Sequence, residues 1–289
     1  MAPLPSAALP LGERLKALAQ TLQFVWFVGH LTLLLSVLRY FLSYITFNYY
    51  SSWAQISYRV AFLAAAATYG IVVYKQHIVR GNLAANVPTI LKLASDENVQ
   101  YLGMAFVWLF SRQIPLALLP FSVYSIFHVA TYTRTNLIPT LQSPKPDASS
   151  TASPNASKQN ARQSPVTESI KEFVKQYHDS GMGLVAYLEL ALLFRVIFSA
   201  LTFSRGSWVL LLVYLAFFRA RYSQSLFVQR AVAHAGAWVD TVISHQNTPP
   251  PIRQAWETFK GVVRQSYEVT DARRYVAGYY PSPVGKKPQ

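Results

Sequence analysis

The sequence predicts an all-α fold, a polytopic helical integral membrane protein with short membrane hairpins and C-terminal amphipathic helices. Three observations predict it. Of the 289 residues 52% are hydrophobic and only 13% charged, whereas a soluble domain carries about 25% charged residues. The apolar residues come in long blocks with the charges between them, the pattern of lipid-crossing segments. Some blocks are shorter than the ~20 residues a helix needs to cross a ~30 Å hydrocarbon core, and these read as hairpins.

Residues 1–23 form an N-terminal arm that ends in a short amphipathic helix, with Leu15, Leu18 and Leu22 on one face. The membrane domain spans residues 24–140. Its first span is 24–45, and the lone charge there, Arg39, sits near the far end, where it can reach the headgroups. The uncharged stretch 46–55 carries Tyr49, Tyr50 and Trp53, amphipathic rings suited to the membrane interface. The second span, 56–74, closes on Lys75. Arg14 and Lys16 precede the first span, and Lys75, Arg80 and Lys92 follow the second. An excess of cations marks the cytosolic side, so both segments are expected there.

Residues 99–132 are expected to form a hairpin. The run from Val99 to Ser111 breaks at Arg112-Gln113 and is only ~20 Å long as a helix. One long bent span is the alternative and would place the following linker in the lumen. The linker's cations (Lys145, Lys158 and Arg162 against Asp147) favour the hairpin. Residues 141–165 form this linker, rich in Ser and Pro and without apolar periodicity, the composition of a disordered segment. It contains the sequon Asn155-Ala156-Ser157, usable only if luminal.

Residues 166–222 comprise an amphipathic helix and a second membrane hairpin. Pro165 suits a first helical position, Ile170, Phe173, Val174 and Tyr177 share one side, and two apolar arms flank Ser204-Arg205-Gly206. Arg219 and Arg221 are read as the cytosolic end of the second arm. Residues 223–289 form a basic amphipathic C-terminal region. Val228, Val232, Ala235, Val239 and Val242 recur at helical spacing beside Trp238, and after Pro249-Pro250-Pro251 the residues Ile252, Trp256, Phe259 and Val263 share a face. The candidate membrane-interface residues are Trp238, Trp256, Phe259 and Val263 with the cations Arg253, Lys260 and Arg264. An apolar aromatic face beside basic residues suits a helix lying in the headgroup region; the alternative is a helix packed on the protein's own core.

The net charge is +14. Because the cations sit at block ends and in connections, without a nucleic-acid-binding motif, membrane placement is favoured over nucleic acid. The chain has no cysteine, which excludes disulfides and thiol nucleophiles. Its six histidines show no metal-ligand spacing, and neither a GxSxG elbow nor a Walker A loop occurs. His30 and His128 lie in apolar runs, where a hydrogen bond to a neighbouring helix accounts for them. Glu189 and Arg195, six residues apart, face different sides of one helix and are expected to pair with other helices or reach an interface. No enzyme activity, metal or cofactor is expected.

The stretch 24–46, the segment Tyr69 to Lys75, Asp96 to Tyr101, Trp108 to Arg112, and the run from Leu118 to Pro139 resemble the transmembrane protein 33 family, with a looser likeness over 166–270. That family includes a fungal pore-membrane nucleoporin. The resemblance implies a non-enzymatic protein of the endoplasmic reticulum and nuclear envelope, acting in nuclear pore complex assembly or distribution and in membrane shape. It also implies nucleoporins and reticulon-type membrane proteins as partners beside the lipid bilayer; the alternative is an endoplasmic reticulum membrane adaptor whose basic C-terminal region recruits a soluble partner such as a nuclear transport receptor.

Overall fold

The structure, a computed structural model, describes residues 9–79, 93–142, 165–244 and 248–269. Most of the Ser/Pro linker with its sequon, Arg80, Lys92, and the tail beyond Val269 lie outside the described residues. Every regular element among the described residues is a helix. Four are long and apolar enough to cross a membrane: Leu22–Ile45, Ser52–Val79, Pro115–Leu141 and Pro165–Leu201. The protein is a multi-pass helical membrane protein.

Helix α1 (Leu11–Ala19) stops two residues before α2 (Leu22–Ile45) begins. The break is made by Thr21, whose hydroxyl accepts from the Phe24 amide at 3.2 Å and caps α2. Leu22 therefore belongs to the span rather than to the amphipathic helix. Helix α3 (Ser52–Val73), capped by Ser51, returns along α2 and continues as a π-helical stretch, Tyr74–Val79. Small residues let the two backbones approach: Ala54, Ala61 and Ala65 are buried on α3. A Cβ on Gly29 of α2 would lie 2.5 Å from Thr68 Cγ2.

Helix α4 (Glu97–Phe110) starts where α3 ends. Asp96 caps it through the Asn98 amide at 2.8 Å and meets His77 Nε2 at 2.9 Å. With 14 residues it is about 21 Å long. A helix ending inside a bilayer leaves carbonyls that need donors. Arg59 of α3 supplies them, donating from Nη1 to Trp108 O at 3.1 Å and to Leu109 O. The following turn is held likewise: the Ile114 amide donates to the Tyr58 hydroxyl at 3.1 Å, and Tyr40 reaches Gln113 Oε1 at 3.4 Å.

Helix α5 (Leu118–Tyr132) lies within a continuous helical stretch from Pro115 to Leu141, longer than the short arm the sequence suggests. Pro120 is harmless because it falls in the first turn, where its missing amide has no partner to lose. The stretch descends along α2, with His30 Nδ1 2.9 Å from Ser125 Oγ and the rings of Phe27 and Tyr132 stacked at 4.6 Å. It ends beside α1, where Arg14 Nη1 donates to Gln142 O at 2.8 Å. Both ends of the α4–α5 hairpin thus lie on the face that carries α1, called here the near face.

Helix α6 (Pro165–Leu201) runs unbroken for 37 residues, merging the amphipathic segment with the apolar arm. Gly181 does not break it because it packs close to α5: a Cβ there would sit 2.4 Å from the Phe127 ring. Helix α7 (Ser207–Gln224) returns along α6, and α8 (Leu226–Ile243) and α9 (Pro250–Val269) follow.

The turns joining α2 to α3 and α6 to α7 are copies of one another. Arg39, Ser43, Thr46, Phe47 and Ser51 recur at a constant offset as Arg195, Ser199, Thr202, Phe203 and Ser207. Their hydrogen bonds repeat as well. Thr46 donates to Leu42 O and Ser43 O, as Thr202 does to Phe198 O and Ser199 O. The Asn48 amide bonds Ser43 O and that of Ser204 bonds Ser199 O; Ser51 and Ser207 close the turns on Asn48 O and Ser204 O. Phe47 and Phe203 both adopt the left-handed conformation, with φ of 56° and 52°. Tyr58 and Phe62 of α3 are buried, as are Tyr214 and Phe218 at the matching positions of α7.

The core is aromatic and small-residue rich, with Trp108, Tyr40, Tyr58, Tyr101, Tyr214 and Phe62 fully buried. Leucines such as Leu31, Leu35, Leu38 and Leu63 face outward. A protein in lipid hides its polar groups and shows apolar ones.

Candidate membrane-interface site and a buried ion-pair cluster

The C-terminal helices differ in how they meet the rest of the molecule. Helix α8 begins with Ser225, whose hydroxyl accepts from the Val228 amide. Its valine face turns inward at that end: Val228 and Ala231 are buried in the main core, with Val232 and Ala235 packed against it. Further along the helix leaves the body, and Trp238 and Val242 are exposed. Helix α9 has no buried residue among those described.

Six of the seven candidate residues belong to α9. Trp256 is half-buried, stacks on Phe259 with ring centroids 5.5 Å apart, and donates from Nε1 to Asp240 Oδ1 at 2.6 Å. Lys260 lies 3.0 Å from the same Asp240 oxygen and 2.8 Å from Glu257 Oε1. Asp240 of α8 is therefore a clasp for α9, a role missed in the sequence. A lone acid in a strongly basic region was the signal that could have found it. The hydrogen bonds from Trp256 and then Lys260 hold the Asp240 carboxyl below its ordinary value, and bonds to Glu257 and Asp240 hold the Lys260 ammonium above its own. Ile252, Phe259 and Val263 project from the face that Trp256 begins, all exposed, and Arg253 is exposed at its edge. Arg264 falls on the same basic edge by helical spacing, and its side chain lies outside the described residues. Trp238, on α8, belongs to a separate helix.

The other concentration of chemistry lies between α4, α5, α6 and α7. Glu189 pairs with Arg221, Nε to Oε1 at 3.0 Å, and both are buried. Arg221 also meets Glu97 Oε1 at 2.7 Å and Tyr124 OH at 3.2 Å. The Tyr101 hydroxyl donates to Glu189 Oε1, and that of Tyr214 to the Glu189 backbone oxygen at 2.8 Å. So Glu189 does pair with another helix, and Arg221, in the last turn of α7 beside the start of α4, turns its side chain inward. Arg195, by contrast, is exposed. Chemically the cluster is one cation between two carboxylates, fenced by phenols, which suits it to locking helices. Among the described residues no three His, Asp or Glu side chains converge as a metal-ligand set.

The family described as Transmembrane protein 33/Nucleoporin POM33 matches residues 13–267. The chain is 53% identical to Nucleoporin POM33 of Chaetomium thermophilum over 277 residues, 96% of each chain. It is 31% identical to the Pore membrane protein of 33 kDa of Saccharomyces cerevisiae, covering 89% of this chain and 88% of that one. It is also 31% identical to Tetra-spanning protein 1 of Schizosaccharomyces pombe, covering 99% and 94%. No solved structure matches.

Proposed function

The chain belongs to the transmembrane protein 33/nucleoporin POM33 family, and from that premise we propose a non-enzymatic membrane protein of the endoplasmic reticulum and nuclear envelope. It contributes to nuclear pore complex assembly or distribution and to membrane shape, with both termini in the cytosol. Relatives named as a nucleoporin and as a pore membrane protein support the pore context. The observation that carries the shaping role is α9: its apolar face is exposed and its basic edge lies alongside, the geometry of a helix resting in the headgroup layer. Seated on the cytosolic leaflet, where the near face would lie, it adds area to that leaflet and favours membranes convex toward the cytosol. In this reading the interface residues are Trp238, Trp256, Phe259, Val263, Arg253, Lys260 and Arg264. The protein partners are nucleoporins and reticulon-type membrane proteins.

The test is imaging of the tagged protein at endogenous level, intact and lacking residues 248–289, a deletion that spares the buried start of α8. A punctate nuclear rim for the intact chain, with altered pore distribution and membrane shape on deletion, is expected. An even reticulum signal with normal pores would overturn the pore assignment. The exposed Arg253 edge favours a second reading, an adaptor that recruits a soluble partner such as a nuclear transport receptor. Lost localisation with unchanged membrane shape on deletion would select it.

A further inference from the structure

The opposite, far face of the molecule has an unusual charge balance. It is formed by the turns 46–51, 111–114 and 202–206 and the helix ends beside them. They lie at one end of the bundle because Tyr40 and Tyr58 hold the 111–114 turn and because Trp108 packs on Tyr214. Five cations belong there: Arg39, Arg59, Arg112, Arg195 and Arg205. All five are arginines. No acid occurs in residues 14–95, 98–146 or 190–239, so the far face has no carboxylate at all. Arg59 donates to the α4 carbonyls. The other four are exposed, and none of the ion pairs among the described residues includes them.

Arg39 and Arg195 occupy the same position in the two copied turns, each six residues before its helix ends at Ile45 or Leu201. That is about 9 Å below the helix end, within reach of the headgroup layer for a long side chain. Arg39 already points toward the turn, with Nη1 2.6 Å from Ser43 Oγ. Above each arginine a phenylalanine projects from a left-handed residue, Phe47 at 87% and Phe203 at 80% exposure. A left-handed conformation in a non-glycine residue is strained and draws attention to function. Tyr49, Tyr50, Trp53 and Trp208 surround the tips, rings that favour the interface.

We propose that the two copied hairpin tips, with Arg112 between them, form a binding surface for anionic phospholipid headgroups in the far leaflet. The phosphates supply the counter-charge that the chain lacks. Arginine fits that ligand because its planar fork takes two phosphate oxygens at once and is weakly hydrated. The phenylalanines, standing above the arginines, lie at the level of the headgroups. Arg39 and Arg195, held below the helix ends, draw phosphates inward and thin the bilayer there, which matches the short α4. This surface is separate from the α9 site and does not rest on the pore assignment.

The test uses the full chain in detergent micelles with a phosphatidic acid bearing a photoreactive acyl chain, cross-linked sites being mapped by mass spectrometry. Cross-links at residues 38–53 and 194–212 are expected, competed by unlabelled phosphatidic acid and not by phosphatidylcholine. The variant R39Q/R112Q/R195Q/R205Q loses them by about tenfold or more, leaving those at α9 unchanged. The corresponding Arg→Lys variant gives an intermediate loss, since it keeps charge without the fork. Arg195→Gln alone, at an exposed position, serves if the quadruple variant fails to fold and should lose the 194–212 cross-links selectively. Equal competition by phosphatidylcholine, or far-face cross-links that survive these substitutions, would overturn the proposal.

Discussion

Arg221 and Glu189 meet as a buried ion pair at 3.0 Å, joining the two arms of the α6–α7 hairpin. The same arginine reaches Glu97 at the start of α4, so one cation ties the hairpin to the α4–α5 unit. Removing Arg221 strands Glu189 as a buried charge, and removing Glu189 leaves the buried Arg221 with Glu97 as its remaining carboxylate.

Glu189→Ala and Arg221→Ala are each expected to destabilise the protein by about 3–5 kcal/mol. Replacing both by apolar residues, as in E189L/R221M, should recover much of the loss. Thermal midpoints in detergent measure all three. Single variants that melt like the parent would show that the pair carries no weight in holding the helices.

The α2–α3 contact depends on Gly29. Gly29→Ala pushes a methyl to 2.5 Å from Thr68 Cγ2, which the close-packed crossing absorbs at a cost of about 1–3 kcal/mol. Thr68→Ser removes the opposing methyl while keeping the hydroxyl that donates to Ala65 O. The double variant should therefore regain stability that Gly29→Ala alone loses.

The copied tips make an opposite prediction. Phe47→Gly and Phe203→Gly relieve a left-handed backbone and should each raise stability by about 1 kcal/mol, whereas Phe→Ala at the same sites should not. Both kinds of variant should weaken far-leaflet lipid contact, because the ring is gone. A glycine variant less stable than its alanine counterpart would show that the rings pack within the fold.

The clasp on Asp240 is pH dependent. Its carboxyl is held below the ordinary value by Trp256 and Lys260, so the stability it contributes is fully present above the unfolded value of about 4 and is lost as pH falls through the lower folded one. Hydrogen exchange at α9 amides, corrected for intrinsic rate, should be constant from neutral pH down to that range and quicken below it. Asp240→Asn should exchange at the fast level throughout.

Much of the fold was legible because lipid imposes simple demands. The spans expected at 24–45 and 56–74 announce themselves by long apolar runs, whereas their starts beside the caps Thr21 and Ser51 and the extension to Val79 emerge only in the structure. The lengths of the stretch to Leu141 and of α6 were less plain. Only their neighbours reveal that Pro120 falls in a first turn and that Gly181 makes a close contact with Phe127. The inward side chain of Arg221 was hidden for a related reason. At the end of an apolar run a cation suits a membrane boundary, and its inward turn depends on Glu189, 32 residues away. The face of α9 could be drawn from spacing, whereas the clasp to Asp240 depends on how α8 and α9 meet. The repeated tips were not read from the sequence; the matching hydrogen bonds bring them out.

The fold predicts that three helical hairpins enter the membrane from one face and that α1, the end of α5 and the start of α6 share that face. The cysteine-free chain allows a direct test with single cysteines and a membrane-impermeant maleimide on sealed microsomes. Lys16→Cys, Gln142→Cys and Ser244→Cys should react at once, while Phe47→Cys and Arg205→Cys should react only after the membrane is permeabilised. Reaction of Gln142→Cys from the side opposite Lys16→Cys would contradict the account.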